Sequence, residues 1–339
     1  MNFELYNPAD VGVNPLAVSK LLDMFIDGTL AANAMVMLRH NKVFCEFYRT
    51  PFNSGKYHSI ASITKSIVSI AAGFAVNEGL FNTDSNVAAF FPEIVKRTAD
   101  ENIYLMKIEN LLTMTSGHKT DMEFEGVGTG DITKDFLLTP LVNKPGDVFS
   151  YNTDGVIVLS RIIERTSGTR FDDYIHERLF KPLGIKNYLW ETDRANINTG
   201  FGLYLTARDL AKIGMFLLNG GKWNKQQLLN PEWIKTASSY LYDNGDFGEG
   251  NGYGYLFWRQ KPKDSFAAIG LGGQYCAMLP NEDMVIALFD AYGTLNVIWD
   301  TILPGLDDTF TADISLNDKC NKMSFKMPKG DRSIILQML

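Results

Sequence analysis

The stretch SIASITKSIVSIAAGFAV, Ser59 to Val76, decides how the chain is read. Ile63, Ile67, Ile70 and Phe74 recur at helical spacing and make one apolar face. Ser62, Lys65, Ser66 and Ser69 make a second face of the same helix. That stripe runs into Ala72 and Gly73 instead of Glu or Lys, so small residues there predict another layer packed close upon it. A lone buried charge is costly, and a buried lysine is normally paired, deprotonated or functional. The stripe is therefore expected to be covered at one end and open at the other, as a cleft would be. Asn77-Glu78-Gly79 closes the helix with a glycine.

A serine at a helix N-terminus sits beside free backbone N–H groups and the positive end of the macrodipole, both suited to a developing anion. Lys65, three residues on, lies on the same face within reach of the Ser62 hydroxyl. A lysine kept neutral by partial burial can take the serine proton, which gives a nucleophile and base without histidine. Ser-x-x-Lys alone is weak, because serine is also a common helix cap.

Working outward, residues 33–50 read as two strands joined by a turn at His40-Asn41-Lys42. NIYLMKIENLLTMTSG, DGVIVLSRIIERTSG and LTARDLAKIGMFLLNGG read as helices ended by Gly117, Gly168 and Gly220-Gly221. Thr206 and Asp209 form a capping-box pattern at the start of the third. GYGYLFWRQ, SFAAIGLG, QYCAMLP and MVIALFD read as strands, with a hairpin turn at Pro280-Asn281-Glu282-Asp283. Strands, helices and strands again predict an α/β (α+β type) protein, its antiparallel sheet built from both ends of the chain and flanked by helices. The expected organisation is a single domain over 1–339, with an α/β lobe from about 1–80 and 200–339 and a helical lobe over about 81–199.

The 339 residues are 45% hydrophobic and carry a net charge of −7, which gives a well-cored chain with no basic footprint for nucleic acid. MNFELYNPAD does not read as a signal peptide, and no apolar run is long enough for a membrane span, so a cytoplasmic location is expected. Cys45, Cys276 and Cys320 are scattered and odd in number, which reads as free thiols. The four histidines, His40, His58, His118 and His176, form no metal-ligand pattern, so neither a metal nor another cofactor is expected. His40 reads as structural. Nothing sets the oligomeric state.

SITK at 62–65, FSYNTDG at 149–155 and IGLGGQ at 269–274 stand in the order of the serine β-lactamase and penicillin-binding-protein superfamily. LLTMTSGH (111–118), KPGDVFSYN (144–152), GLYLTARDLAKIG (202–214) and LNGGKW (218–223) resemble its class C-like branch, including esterase-like and 6-aminohexanoate-oligomer-hydrolase-like members. The likeness runs from about residue 30 to about 290 and implies a β-lactamase-like fold. It implies Ser62 as acylated nucleophile, Lys65 as its activating partner and Tyr151 as general base. It also implies an oxyanion hole made by the backbone N–H groups of Ser62 and Gln274. Two motifs depart from the family. Leu271, Gly272 and Gly273 stand where Lys-Thr-Gly is usual, which removes a cation that helps bind a substrate carboxylate. Thr153 stands where Tyr-x-Asn needs Asn, with Asn152 one place early, and either residue could fill that role.

The expected activity is a serine hydrolase cleaving a small ester or amide through an acyl-enzyme. A β-lactamase or D-alanyl-D-alanine carboxypeptidase is the enzymatic alternative, and a non-catalytic ligand-binding relative the alternative of another class. Tyr253, Tyr255, Phe257 and Trp258 could line an apolar acyl site, with packing of the sheet as the competing reading.

Overall fold

The computed structural model describes residues 3–119, 130–193, 196–197, 199–248 and 250–307. Cys320 and the more basic stretch from Lys319 to Arg332 lie outside them. Six strands form the main sheet: β1 (Ala34–Arg39), β2 (Lys42–Tyr48), and, after the helical region, β6 (Trp258–Arg259), β7 (Phe266–Gly270), β8 (Gln274–Leu279) and β9 (Met284–Phe289). Their order is β6-β7-β8-β9-β1-β2, every neighbouring pair antiparallel. β9 pairs with β1, from Ala34 opposite Phe289 to Arg39 opposite Met284, so the two ends of the chain close one sheet.

Both faces of that sheet are covered, which is why its strands read as apolar runs and not as clean alternations. Met35, Met37, Ile286 and Leu288 point to the face packed by α1 (Pro15–Ile26) and the late helix α8 (Thr294–Ile302). Val36, Leu38, Val285 and Ala287 point to the other face and join the larger core. There α6 (Ala207–Leu218) lies on β8, β9 and β1. A Cβ at Gly214 would come 2.5 Å from Val285 Cγ1, so glycine lets that helix approach.

The serine helix, α2 (Ile63–Asn77), is buried from Ile63 to Ala75. It packs against α5 (Thr153–Ser167), which in turn holds α4 (Ile132–Leu138). Its small-residue face is closed as expected, since a Cβ at Gly73 would lie 2.6 Å from Trp233 Cδ1 in α7 (Pro231–Ala237). A small sheet of β3 (His58–Ser59), β4 (Leu189–Trp190) and β5 (Leu203–Leu205), in the order β3-β5-β4, leads into it.

Three expectations change. The helix read over NIYLMKIENLLTMTSG is split into a 3₁₀ turn (Glu101–Leu105) and α3 (Ile108–Leu112). Met106 and Lys107 are extended between them because Val87 N–H donates to Met106 O and Ile108 N–H to Ser85 O. Within GYGYLFWRQ only Trp258–Arg259 is a strand. Leu256 adopts φ 61°, with its N–H on Leu112 O and its carbonyl accepting from Ser66 Oγ. Finally, Leu271-Gly272-Gly273 forms the turn between β7 and β8, with φ 83° and 80° at the glycines, and is not itself strand.

Candidate active site

Ser62 is the N-cap of α2, at φ −67° and ψ −5°. Ala61 before it sits at φ 45°, an uncommon conformation for a residue with a Cβ, and such strain clusters at functional sites. Ile63, Thr64 and Lys65 donate the bonds of the first turn, to Ile60, Ala61 and Ser62 carbonyls, and the Ser62 N–H takes no part in it. The Thr64 hydroxyl also donates to Ala61 O at 2.7 Å and braces the bend.

Lys65 is 2% exposed. Its ammonium donates to Ser62 Oγ at 3.0 Å and to the carbonyl of Gly200 at 2.9 Å. The same Nζ stands 5.1 Å from the centroid of the Tyr151 ring, a cation–π placement. Tyr151, far from Ser62 and Lys65 in sequence, thus meets that pair at one point. The rest of the predicted stripe does not open to the cleft. Ser66 is buried and donates to Leu256 O at 2.6 Å, and Ser69 is fully buried. A helix face lined with small residues can be sealed along its length by polar and apolar neighbours alike, and here only its first turn stays open.

Tyr151 is held from both sides. Ser150 N–H donates to Met114 O, Ser150 Oγ to Lys119 O, and Asn152 N–H to Met114 Sδ. Its ring stacks on Phe247 at 5.1 Å and on Trp258 at 5.9 Å. Gly248, at φ 76°, is needed to lay that loop down, since a Cβ there would meet Trp258 Cη2 at 2.5 Å. Tyr253 sits behind, and burial pushes its phenol far above the ordinary range, with the nearby Tyr151 adding to the effect. Tyr253 therefore stays neutral. Tyr253, Tyr255, Phe257 and Trp258 are all buried, which settles them as core and not as open lining.

These residues border a cavity of about 960 Å³, lined among others by Ser62, Lys65, Tyr151, Thr153, Phe201 and Leu271. Of the two candidates for the family's Asn position, Thr153 reaches the cavity. Asn152 caps α5 instead, its Oδ1 accepting from Gly155 N–H at 2.7 Å. Leu271 stands at the rim, 86% exposed. Gly272 and Gly273, in the turn that follows, and Gln274, the first residue of β8, are not among its lining residues. The turn is nevertheless pressed against the serine arm, for a Cβ on Gly270 would come 2.4 Å from Ile60 O and 3.0 Å from Ala61 Cβ.

Sequence reasoning missed several lining groups. Phe149, Lys119, Asp246 and Phe247 all border the cavity. Phe149 and Ser150 flank Tyr151 and were available by adjacency, whereas Asp246 and Phe247 lie in a glycine-rich loop whose composition signals only a turn. The Gly200 carbonyl carries no sequence signal at all. Among the described residues no cluster of His, Cys, Asp or Glu is placed to hold a metal, and no helix is long and apolar enough to cross a membrane.

The sequence profile of the family described as Beta-lactamase matches residues 20–290. The chain belongs to the beta-lactamase family. The 6-aminohexanoate-dimer hydrolase of Paenarthrobacter ureafaciens is 26% identical over 295 residues, which cover 77% of this chain and 72% of that protein. Among solved structures, EstCE1, a hydrolase with promiscuous acyltransferase activity, superposes with a TM-score of 0.67 at 15% identity, covering 92% of this chain and 99% of that one. A penicillin-binding protein homologue from Caulobacter crescentus gives 0.66 at 17%, covering 81% and 90%. At such identities the likeness establishes the fold, β-lactamase-like as the motifs implied. The protein is thus a hydrolase of the beta-lactamase family.

Proposed function

We propose that this member of the beta-lactamase family is a serine hydrolase that cleaves a small ester or amide through an acyl-enzyme on Ser62. The observation that carries the reading is the Lys65 ammonium, donating to Ser62 Oγ at 3.0 Å and lying 5.1 Å from the Tyr151 ring. In the proposed cycle Tyr151, as phenolate beside that cation, accepts the Ser62 proton while Oγ attacks the substrate carbonyl. The oxyanion is received by the N–H groups of Ser62 and Gln274. The tetrahedral adduct then expels the alcohol or amine, which takes the proton back from Tyr151. Water, deprotonated at the same place, hydrolyses the acyl-enzyme and frees Ser62.

The rim of the cavity supports a neutral, largely apolar substrate. Leu271 supplies no charge where the family carries lysine, and Lys119 with Asp246 brings one charge of each sign. Phe149, Phe201 and Phe247 offer flat apolar surface to an acyl or leaving group. Thr153 takes the place facing the cavity that the family gives to Asn. A β-lactam or D-alanyl peptide, each carrying a carboxylate, loses the charge-assisted contact at position 271.

A fluorophosphonate probe followed by intact mass measurement tests this. One adduct is expected on the wild type and none on Ser62→Ala. In parallel, p-nitrophenyl esters are expected to turn over faster than a chromogenic cephalosporin or a D-Ala-D-Ala peptide. No adduct on the wild type, or an equal adduct on Ser62→Ala, sinks the proposal. Faster cephalosporin turnover hands the reading to a β-lactamase.

A further inference from the structure

Behind Gln274, the first residue of β8, lies a polar cluster that the proposed chemistry does not use. Gln274 is buried, and its amide Nε2 donates to Asp290 Oδ1 at 2.8 Å while Asp290 N–H donates back to Gln274 Oε1 at 3.3 Å. This two-bond ring fixes the Gln274 side chain at both of its polar ends. The other carboxylate oxygen accepts from Asn33 Nδ2 at 2.8 Å and faces His58 Nδ1 at 3.9 Å. The adjoining residue adds a backbone bond, Ala291 N–H to Gly273 O at 3.0 Å. A Cβ on Gly273 would come 2.2 Å from Tyr292 N, so the turn is clamped tightly to the chain that leaves β9.

Two features say that this is more than a sheet edge being tidied. Asp290 adopts φ 54°, a conformation costly for a residue with a Cβ, and that backbone turn aims its N–H at Gln274. His58 is buried between the rings of Phe52, at 4.8 Å, and Phe289, at 4.5 Å. It stands on β3, four residues before Ser62 and three before the strained Ala61. One carboxylate therefore faces both arms that would supply oxyanion N–H groups. Burial alone would raise the Asp290 carboxyl, and the contacts from His58, Gln274 and Asn33 outweigh it and hold the group below its ordinary range. The charge is kept where both arms need it.

We infer that Asp290 is a positioning residue for the oxyanion hole, fixing the Gln274 arm through its side chain and the Ser62 arm through His58. The inference rests on the acyl-enzyme reading of Ser62 given above. Asp290 touches no substrate and acts only by holding Gln274 and His58 in place. An oxyanion donor contributes in proportion to how well it is aimed at the tetrahedral oxygen, and losing one costs about a hundredfold or more in kcat. Loosening one without removing it is expected to cost about tenfold to a hundredfold on the same scale.

The test uses Asp290→Asn and Gln274→Met, which preserve shape and leave the Gln274 backbone N–H in place. Steady-state kinetics on a p-nitrophenyl ester and the affinity for an alkyl boronic acid, which mimics the tetrahedral adduct, are measured with the thermal midpoint. Each variant is expected to lose about tenfold to a hundredfold in kcat and the same factor in boronate affinity, with KM within about threefold. The double variant is expected to be no worse than the poorer single one, as for groups acting as a unit. A clamp that served only stability would lower the midpoint and leave kcat and boronate affinity of the folded protein unchanged, and that result overturns the inference. If Asp290→Asn does not fold, Gln274→Met decides alone by the same criteria. Wild-type labelling of Ser62 by the fluorophosphonate is read first. Its absence overturns the hydrolase reading and this inference with it, whereas normal labelling with unchanged variants overturns only the inference.

Discussion

Gly270→Ala is the most direct probe of how the site is built. Gly270 ends β7 and is not in a left-handed conformation, so the substitution acts by contact and not by backbone strain. The new Cβ would lie 2.4 Å from Ile60 O, 3.0 Å from Ala61 Cβ and 3.1 Å from Gln274 Cβ. Bringing a carbon back to an ordinary separation of about 3.5 Å from that oxygen requires a displacement of about 1 Å. Ile60 and Ala61 lead into Ser62, and Ala61, already at φ 45°, has little freedom to absorb the movement. The displacement therefore falls on the serine arm, the Gln274 arm, or both. A misplacement of about 1 Å in a reacting group costs about a hundredfold in rate, about 2.7 kcal/mol of barrier. Overpacking itself costs about 1–3 kcal/mol of stability. Initial rates on a p-nitrophenyl ester, with urea midpoints for the folded state, separate the two. Gly214→Ala serves as control, because it too lies outside the left-handed region and its Cβ would meet Val285 Cγ1 at 2.5 Å, a comparable clash outside the cavity lining. It is expected to lose stability and keep its kcat. If Gly270→Ala retains kcat within about threefold of wild type, the serine and turn arms are not held by this contact and the argument fails.

Two other perturbations follow from the same geometry. Leu271→Lys restores a cation at the rim. Because the position is 86% exposed, the gain for a carboxylate-bearing ester over a neutral one is expected to be about fivefold at most and to vanish in high salt; an unchanged ratio of kcat/KM would show that position 271 does not face the substrate. His118 is buried, with Nδ1 at 3.1 Å from Ser116 Oγ and Nε2 at 3.0 Å from Phe136 O, and burial pushes its imidazole down to about 4. The folded protein therefore keeps it neutral while the unfolded chain, with its ordinary higher value, takes up a proton. Stability is lost as pH falls from about 6.5 to about 4, by about 3 kcal/mol at most. Urea midpoints at several pH values should show this decline in wild type and a shallower one in His118→Gln, and parallel curves would refute the assignment.

Much of this was legible in the chain. The strand pairs at 33–50 and after 265, the serine helix and the helix from Ala207 carry clear periodicity, and local pattern is what sets such elements. The Thr206 cap is seen as read, its hydroxyl accepting from Asp209 N–H at 3.1 Å. The pairing of Ser62 with Lys65 was legible too, because three residues along one helix fix their separation. The errors fall where long-range bonds override local preference. The chain at Met106-Lys107 is drawn extended by Ser85 and Val87, and Leu256 is turned left-handed between Leu112 and Ser66. Helical spacing gave the stripe its membership but not its exposure, so Ser66 and Ser69 were placed in a cleft they do not reach.

The sequence by itself determined the Ser-x-x-Lys pair on one helix face and which family-like motifs have changed, since these depend only on residue type and short spacing. What it left open is how segments remote along the chain meet. Only the tertiary structure brought Tyr151 and Gly200 to Lys65, chose Thr153 over Asn152 as the residue at the cavity, and set Asp290 behind Gln274. The reason is physical: a helix fixes neighbours through its own backbone bonds, whereas contacts between segments are fixed by packing of the whole core. Those contacts leave no periodic mark on either partner.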